Sequence, residues 1–397
     1  MSGPAPAGFI GMPRNPVVRV YRTGLRSEIP LLLPVAILIG VGWVMVFSTA
    51  AVQGIGNSGG VFFHLKRQML ATGLGAVALM LAATFPLSRL ARYTPGVLAV
   101  ATMLMLAVFV PGVGKSVGGA TRWMDLGFIS FQPVEVFKVA VVLCYARVLS
   151  GLSTRGGWPI ESWGFLGGLA VASVLFPIMQ RDFGSVILML ILGGAMIWLA
   201  GGRTPYLVGF GALAAASAAA LVVSAPYRMH RINLFLSSWM SVDGGGYQTK
   251  QSLIALGAGG LFGVGLGEGM QKLFYLPSAH ADFIYAIIGE ELGFIGALAV
   301  LALYILFLRS GLAIARQSLD RFARLLAAGL TFLIFGQALW HIAVALVMVP
   351  TKGLALPFVS YGGSSLMSSM LAVGIIYRCA VEHGAHSDRG GRAWGHS

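Results

Sequence analysis

Long apolar runs separated by short polar stretches dominate this chain. A helix that spans the hydrocarbon core of a membrane needs about 20 predominantly apolar residues. By that rule the pattern predicts ten membrane-spanning helices, at residues 29–52, 68–87, 96–113, 133–151, 163–179, 184–201, 205–225, 283–308, 323–349 and 357–377. Gly and Pro interrupt several runs, which is tolerated where neighbouring helices cover the broken backbone. The pattern therefore predicts an all-α polytopic membrane protein with a single transmembrane domain over residues 28–379.

One connection in this pattern is much longer than the others. Residues 226–282 join the seventh and eighth predicted helices and contain many Trp, Tyr, Phe and Leu side chains. A loop this long in a compact bundle is usually functional or disordered, and the aromatic content favours order. Within it, LIALGAGGLFGVGLG at 253–267 is too short for a confident span. We expect a re-entrant or interfacial half-helix there, with a soluble-type lid as the alternative.

Composition supports the membrane assignment and narrows the choice of partners. The chain is 57% hydrophobic and 10% charged, with a mean hydropathy of +0.83. Its formal charge of +14 would suit a nucleic-acid-binding protein. However, the Lys and Arg residues are scattered between apolar runs and form no basic stripe or tail. We therefore exclude nucleic acid as a partner and interpret the basic residues as topology signals and contacts to anionic lipid.

The distribution of basic residues predicts the orientation of the bundle. Residues 1–27 are polar and basic, without a cleavable signal peptide, and the positive-inside rule places both termini in the cytoplasm. The long loop 226–282 then lies on the outer side. Lys66 and Arg67 oppose the rule, because they fall in a short outer connection. The polar segment 380–397 is predicted to be a disordered cytoplasmic tail.

Several familiar motifs are incomplete or missing. GVGKS at 112–116 resembles the end of a phosphate-binding loop, but Phe109 stands where its first glycine is required. Cys144 and Cys379 lie within apolar runs and have no metal-site or disulfide spacing. The chain also has no HExxH or CxxC sequence. Soluble nucleotide-binding, hydrolase and zinc-enzyme classes are therefore excluded.

Acidic residues are scarce, so the search for an acid–base group is short. Of the 13 Asp and Glu residues, those at or near the predicted outer face are Asp125, Glu135, Asp182, Asp243, Glu268 and Asp282. A proton transfer on that face must use this set or a histidine. Asp282 directly precedes the helical run FIYAII, so it is either a helix N-cap or a functional carboxylate.

Charged and polar pairs also occur inside the predicted helices. Glu135 and Lys138 are three residues apart and share a helix face, so they either serve function or neutralise each other between helices. Asp182 lies beside Arg181 and offers a similar choice. Gln337 and His341 are four residues apart, which predicts a buried, hydrogen-bonded histidine.

Two adjacent glutamates and a broken helix complete the list of candidates. Glu290 and Glu291 lie roughly 12 Å into the eighth helix, so at least one must face the bundle, in a structural or coupling role. In PTKGLALPFVSYGGSS at 350–365, two prolines frame Lys352. Broken backbone at membrane depth lines a cavity or is covered by protein, and a lysine there suits a phosphate. An ordinary turn with a kinked helix start is the alternative.

Five segments together resemble the SEDS family (shape, elongation, division and sporulation). In chain order they are GGATRWMDLGFISFQPVEVFKVA, QRDFGS, GGGYQTKQSLIALGAGGLFGVGLGEGMQK, YLPSAHADFIYAIIGEELGFIG and PTKGLALPFVSYGGSS. The resemblance covers about residues 118–378 and is strongest to the family's division member, with the elongation member as the near alternative. It implies a ten-helix fold and peptidoglycan polymerisation from lipid II on the outer face. The implied cellular location is the bacterial cytoplasmic membrane at the division septum.

The same resemblance implies roles for individual residues. Asp282 matches the family's essential Asp and would be the general base. The candidates for substrate binding are Glu135, Lys138, Lys352, Arg122, Asp182, Gln132, His280, Ser360, Tyr361, Gly362, Gly363 and Ser364. The chain departs from the family pattern at Arg181, at Ala281 and on the ninth helix, where His341 and Ala345 replace Asn.

The implied cofactors and partners are few. A divalent cation, Mg²⁺ or Mn²⁺, is expected to bridge phosphates and carboxylates, with no organic cofactor. The implied partners are a class B penicillin-binding protein, which crosslinks the glycan, and other division membrane proteins. Two alternatives remain open at this point. The first is a flippase for a lipid-linked precursor, because buried charges and broken helices also suit transporters. The second is a scaffolding division protein.

Overall fold

The computed structural model describes residues 16–53, 62–117, 120–125, 130–152, 158–223, 246–273, 275–276, 280–350 and 353–393, with residues 229, 233 and 235–237. The helices are α1 (Pro16–Gln53), α2 (Phe63–Thr84), α3 (Leu87–Ala107), α4 (Pro133–Ser150), α5 (Ile160–Met179), α6 (Phe183–Leu199), α7 (Thr204–Val223), α8 (Tyr247–Gly259), α9 (Ile284–Gln317), α10 (Arg321–Ala345) and α11 (Gly363–Ala393). Three short strands, β1 (Gly114–Val117), β2 (Ala120–Asp125) and β3 (Ser130–Phe131), lie between α3 and α4.

Each of the ten predicted spans coincides with a helix, namely α1 to α7 and α9 to α11. Among the described residues, seven helices (α1, α2, α3, α5, α9, α10 and α11) are long and apolar enough to cross a membrane. Helix α6 is a shorter apolar helix, and α4 carries three charged residues, Glu135, Lys138 and Arg147. The chain is a multi-pass membrane protein, as its hydropathy pattern predicts.

Helix ends differ from the prediction where polar residues continue a helix. Helix α1 begins at Pro16, inside the predicted N-terminal tail. Helix α11 runs to Ala393, through a segment predicted to be disordered from residue 380. There, Arg378 pairs with Glu382 at 2.8 Å, and Glu382 accepts a hydrogen bond from the backbone N–H of Leu87 at 3.0 Å. An i,i+4 ion pair supports a helix that hydrophobicity alone does not predict.

The small sheet was not predicted. Strands β1, β2 and β3 pair antiparallel in that order, with Gly114 opposite Met124 and Met124 opposite Phe131. The strands have four, six and two residues. Such short strands give no alternating pattern long enough to recognise in sequence. The sheet covers one end of the bundle and carries Arg122 and Trp123 on β2.

Helix α4 is the centre of the bundle. Its side chains are buried from Pro133 to Ala146 at all but one position, Val136. A helix that is apolar all round is typical of such a central place. By contrast, α2 and α3 expose large apolar side chains, among them Met80, Leu81 and Met103. In a membrane protein these outward faces meet lipid.

The segment after α8 turns back alongside α9. The N–H groups of Val264 and Gly265 donate to the carbonyls of Glu290 and Glu291 at 2.9 and 3.1 Å. The N–H of Phe294 donates back to Gly260 at 2.9 Å, where α9 is opened at Gly293 with a φ of 70°. The half-helix predicted over residues 253–267 is helical only as far as Gly259, where α8 ends. Residues 260–267 are not helical, and Gly260, Gly263, Gly265 and Gly267 adopt positive φ there.

The two predicted interior glutamates hold this segment in place. Both are buried. The Glu290 carboxylate accepts from the N–H groups of Met270 and Gln271 at 2.7 and 3.1 Å. The Glu291 carboxylate binds Lys272 Nζ at 2.6 Å and Ser48 Oγ of α1 at 2.7 Å. Their structural role, predicted from the sequence, is visible in these bonds.

Candidate functional site

A polar cavity of about 830 Å³ opens at the end of the bundle that carries the sheet. Helices α2, α4, α6, α9 and α11 all begin at this end, so their N-termini meet there. The predicted site residues that line the cavity are Arg122, Gln132, Asp182, His280, Asp282, Tyr361, Gly362 and Gly363. Residues far apart in sequence thus converge on one space, large enough for a substrate of several sugar and phosphate groups.

Asp282 lies in the cavity wall, half-buried. Helix α9 begins at Ile284, and its N-cap position is Phe283, one residue after Asp282. The carboxylate packs closely against the backbone of Gly353. A Cβ atom at that glycine would lie 2.6 and 2.9 Å from the two carboxylate oxygens. A side chain at residue 353 would therefore displace the carboxylate from this position.

Two loops are bonded together behind Asp282. Ser360 Oγ accepts from the N–H of Leu356 and donates to the carbonyl of Ala281, both at 2.8 Å. The N–H of Tyr361 donates to the carbonyl of His280 at 3.0 Å. Ser360 is buried and is not part of the described cavity wall. It joins the 280–282 loop to the 353–361 segment.

A similar bond joins the start of α11 to the start of α4. Ser364 Oγ accepts from the N–H of Gln132 at 2.8 Å and donates to the carbonyl of Ser130 at 3.1 Å. Ser364 is buried and lies behind the wall, whereas Gln132, Gly362 and Gly363 are on it. Of the predicted substrate-binding residues, these two serines therefore serve the shape of the cavity in this structure.

Asp182 and Arg122 are both held by α6 and the turn before it. The Asp182 carboxylate caps α6, accepting from Ser185 N–H at 3.3 Å and Ser185 Oγ at 2.7 Å. Arg122 donates to the carbonyls of Gln180 and Arg181 at 2.8 and 2.7 Å. Carbonyl partners orient the guanidinium without cancelling its charge. Arg122 is thus fixed at the rim with its positive charge directed at the cavity region.

Cations outnumber carboxylates on the described wall. Arg67, Lys115, Arg122 and Arg181 line it, against Asp182 and Asp282. Lys115 also pairs with the exposed Asp125 at 3.3 Å. A concave site with excess positive charge favours an anionic ligand, such as a phosphate or pyrophosphate.

Three rings form one side of the cavity next to Asp282. The His64 ring lies 4.9 Å from the Tyr361 ring and 5.5 Å from the His280 ring, centroid to centroid. Burial, and to a smaller extent the neighbouring His64, lower the pKa of His280 to about 4. At neutral pH, His280 is therefore an uncharged hydrogen-bonding group and not a phosphate-binding cation.

Glu135 and Lys138 pair as predicted, but they lie behind the wall. Lys138 Nζ contacts Glu135 Oε1 at 2.8 Å and Gln337 Oε1 at 2.7 Å. Gln337 Nε2 in turn donates to the carbonyl of Ala355 at 2.9 Å. Lys138 is 1% exposed, and neither charged residue belongs to the described lining of the cavity. Direct contact with a substrate would require both side chains to leave this network.

The structure does not test two of the predictions, the role of Lys352 and the divalent cation. Lys352 lies outside the described residues. For the expected divalent cation, the described residues contain no group of three or more His, Cys, Asp or Glu side chains that could hold a metal. Mg²⁺ is usually held by one or two carboxylates together with substrate phosphates and waters, so Asp182 and Asp282 could contribute to such a site. The cation stays a prediction.

The start of α2 contributes wall residues that were not predicted as site residues. His64 and Arg67 line the cavity, and Gln68 Nε2 donates to the carbonyl of Ser360 at 3.3 Å. A signal was present in the sequence, because Lys66 and Arg67 oppose the positive-inside rule. Basic residues in an outer connection do not serve as topology signals, so a role in the site is a natural explanation for them.

Fold and cavity together define a class: a multi-pass helical membrane protein with an acidic residue in a cation-rich cavity at one end of its bundle. Residues 30–384 match the FtsW/RodA/SpoVE family, described as cell cycle proteins. The chain belongs to this family, which is the one that its motifs resemble.

Relatives and solved structures agree with this assignment. The chain is 38% identical over 351 residues to the probable peptidoglycan glycosyltransferase FtsW of Trichlorobacter lovleyi, covering 88% of this chain and 92% of the relative. The FtsW of Coxiella burnetii, with the same description, is 37% identical over 351 residues, covering 87% and 94%. A peptidoglycan synthase complex chain, from a study of coordinated polymerisation and crosslinking, matches with a TM-score of 0.71, 25% identity and coverage of 89% and 97%. RodA of Thermus thermophilus, a rod shape determining protein, matches with a TM-score of 0.65, 25% identity and coverage of 90% and 97%.

Proposed function

We propose that this protein is a division-type peptidoglycan glycosyltransferase that polymerises lipid II at the outer face of the bacterial cytoplasmic membrane. The observation that carries the proposal is the position of Asp282, a half-buried carboxylate on the wall of a cation-rich cavity. Polymerisation needs a base for a sugar hydroxyl and positive charge for a pyrophosphate leaving group. The cavity supplies both within one space, and relatives of similar length carry that activity in their names.

The reaction is a single displacement. Asp282 takes the proton from the 4-hydroxyl of the acceptor GlcNAc while that oxygen attacks the anomeric carbon of the donor MurNAc. The bond from that carbon to the α-linked undecaprenyl pyrophosphate breaks, and the pyrophosphate leaves with the bonding electrons. Attack from the opposite face inverts the centre and forms a β-1,4 linkage. The proton ends on Asp282 and passes to solvent.

Charge builds on the leaving pyrophosphate, so fixed cations stabilise the transition state. Arg122 is the best oriented candidate, because two carbonyls hold its guanidinium. Arg67 and Lys115 line the same cavity. Lys352 is assigned to the same role from its motif. Undecaprenyl tails lying in the grooves between helices would align the two sugars and remove much of the entropic barrier.

Glu135 and Lys138 are assigned a supporting role. Lys138 fixes the amide of Gln337 by occupying its oxygen, so that the amide nitrogen faces the carbonyl of Ala355. The Glu135 carboxylate neutralises the buried lysine and also accepts from Ser368 Oγ at 3.3 Å. Through this chain of bonds, helix α4 supports the segment that packs on Asp282.

The partners follow from the chemistry of the product and from the family. A glycan strand must be crosslinked, so a class B penicillin-binding protein is the proposed partner, together with other division membrane proteins at the septum. The FtsW names of the relatives favour division over elongation. Lipid II is both the proposed donor and the proposed acceptor.

The proposal is tested by polymerisation of labelled lipid II with the purified protein, alone and with its class B partner. We expect glycan strands from the wild type and none from Asp282→Asn, which keeps the side chain's size and loses the base. Asp125→Asn is the matched control. Asp125 is an exposed carboxylate on the sheet, where it pairs with Lys115, and it does not line the cavity. It should polymerise like the wild type.

Two results would overturn the proposal in different ways. Equal polymer from the wild type and a folded Asp282→Asn variant would remove Asp282 as the base. Lipid II that is bound and moved across vesicle membranes, with no polymer from either protein, would favour the flippase alternative.

A further inference from the structure

The backbone that touches Asp282 belongs to a short non-helical segment, residues 353–356. Gly353 packs against the carboxylate so closely that a Cβ atom would lie 2.6 Å from Oδ1. A shift of about 1 Å in this segment would therefore move the carboxylate, open a gap beside it or press on it. Misplacing a catalytic group by about that distance costs on the order of 100-fold in rate.

Helix α10 holds the segment through two side chains on one face. Gln337 Nε2 donates to the carbonyl of Ala355 at 2.9 Å, and His341 Nδ1 lies 2.7 Å from the carbonyl of Leu354. A carbonyl oxygen can only accept, so Nδ1 carries the proton and donates. The two adjacent carbonyls are thus tied to two donors four residues apart.

Of these two side chains, His341 is the better one to test by substitution, because it has fewer other hydrogen bonds. Gln337 also binds Lys138 and Ser365, so its replacement would disturb several bonds at once. His341 is 1% exposed, does not belong to the described wall, and bonds Leu354 as its hydrogen-bond partner. Its Nε2 has no partner among the residues that the structure describes. The ring therefore touches no substrate space and acts on the segment through Nδ1.

We propose that His341 is a positioning residue for the proposed base. Its Nδ1–H holds the Leu354 carbonyl, which sets Gly353 against the Asp282 carboxylate. This inference rests on the proposed function, because it assigns to His341 the geometry of the base that the proposed reaction uses. Loss of the donor leaves substrate binding intact and lowers the rate of the chemical step.

The test compares three variants of the full-length protein in lipid II polymerisation. His341→Leu removes the donor. His341→Asn keeps an N–H on the atom bonded to Cγ, where Nδ1 stands, whereas His341→Gln carries its N–H one bond further out. We expect His341→Leu to lower kcat about 10- to 100-fold, with KM changed less than about threefold. His341→Asn should restore most of kcat, and His341→Gln should restore less.

The order of Asn and Gln separates positioning from packing, because Gln is closer to His in volume. Trp340→Phe is the control. It removes a neighbouring ring N–H that has no partner among the described residues, and kcat should stay at the wild-type value. A His341→Leu variant with wild-type kcat, a rise in KM at constant kcat, or a Gln variant as active as Asn would each overturn the inference. If His341→Leu does not fold, the Asn and Gln pair decides alone.

Asp282→Asn, measured in the same assay, separates the two proposals. If Asp282→Asn still polymerises at the wild-type rate, the proposed base is wrong. If Asp282→Asn is inactive and His341→Leu keeps full kcat, only the positioning role fails. Where Asp282→Asn retains a measurable rate, adding His341→Leu should lower it no further, because the base that His341 positions is already lost.

Discussion

At the scale of the residue, His280 shows how a site histidine can be kept uncharged. Its pKa of about 4, against an ordinary value of 6.5, results mainly from burial. Between these two values the unfolded chain binds a proton that the folded chain does not bind. Stability is therefore complete above about pH 6.5 and declines as the pH falls toward 4. We expect the wild-type melting temperature to fall more steeply over this range than that of His280→Gln, which cannot be protonated. Equal slopes in thermal unfolding of the two purified proteins would contradict this assignment.

The sequence motifs identify residues near the site, but they do not show which of these side chains face the cavity. Asp282 and Arg122 stand in motifs and are found on the wall. Ser360 and Ser364 stand in the same kind of motif but bond backbone groups behind the wall. Motif membership cannot tell these cases apart, because which way a side chain faces depends on segments more than 70 residues distant in sequence. Arg67 belongs to no site motif and reaches the cavity through the packing of α2. In the sequence it stood out because it opposes the positive-inside rule.

At the scale of the element, a buried ion pair anchors the segment after α8 to α9 and α1. Lys272 and Glu291 are 3% and 0% exposed in their side chains. Removing one partner leaves an uncompensated buried charge, which typically costs about 3–5 kcal/mol. We expect Lys272→Met and Glu291→Gln each to destabilise the folded protein strongly. The double variant should lose much less than the sum of the two.

Unfolding of the purified variants in detergent measures this coupling. Lys115→Met with Asp125→Asn is the matched control, since that pair is exposed on both sides, and its loss should change stability by about 0–1 kcal/mol. A Lys272 and Glu291 double variant as unstable as the summed singles would show that the two charges act independently.

Element types were predictable where a hydrophobic pattern is long, and not where it is short or broken. All ten long apolar runs are helices, because a span of that length in lipid has few alternatives. The three short strands offered no such pattern. The opening of α9 at Gly293 depends on bonds to residues 260 and 261, which the local sequence of α9 does not contain. The polar extension of α11 depends on Glu382, which pairs with Arg378 and accepts a hydrogen bond from the backbone N–H of Leu87.

At the scale of the whole molecule, the two ends of the bundle differ in chemistry. The cavity, the sheet and Asp282 share one end. At the other end, Arg321 donates to the carbonyls of Leu152 and Ala200, so the first turn of α10 is joined to the residues that directly follow α4 and α6. Arg147 donates to the carbonyl of Ala91 at 2.6 Å there as well. The positive-inside rule predicts that this second, arginine-rich end lies in the cytoplasm and that the cavity lies at the outer face.

That orientation predicts which positions a membrane-impermeant maleimide can reach. Lys115→Cys stands on the sheet beside the cavity with its side chain 56% exposed in the native residue, and Arg203→Cys is an exposed position at the other end. The native Cys144 and Cys379 are both buried, so they give little background. In spheroplasts, Lys115→Cys should label from outside, whereas Arg203→Cys should label only after the membrane is permeabilised. The reverse result would place the cavity in the cytoplasm. Polymerisation of lipid II at the outer face would then be impossible for this site, because its acceptor hydroxyl and its base would lie on opposite sides of the membrane.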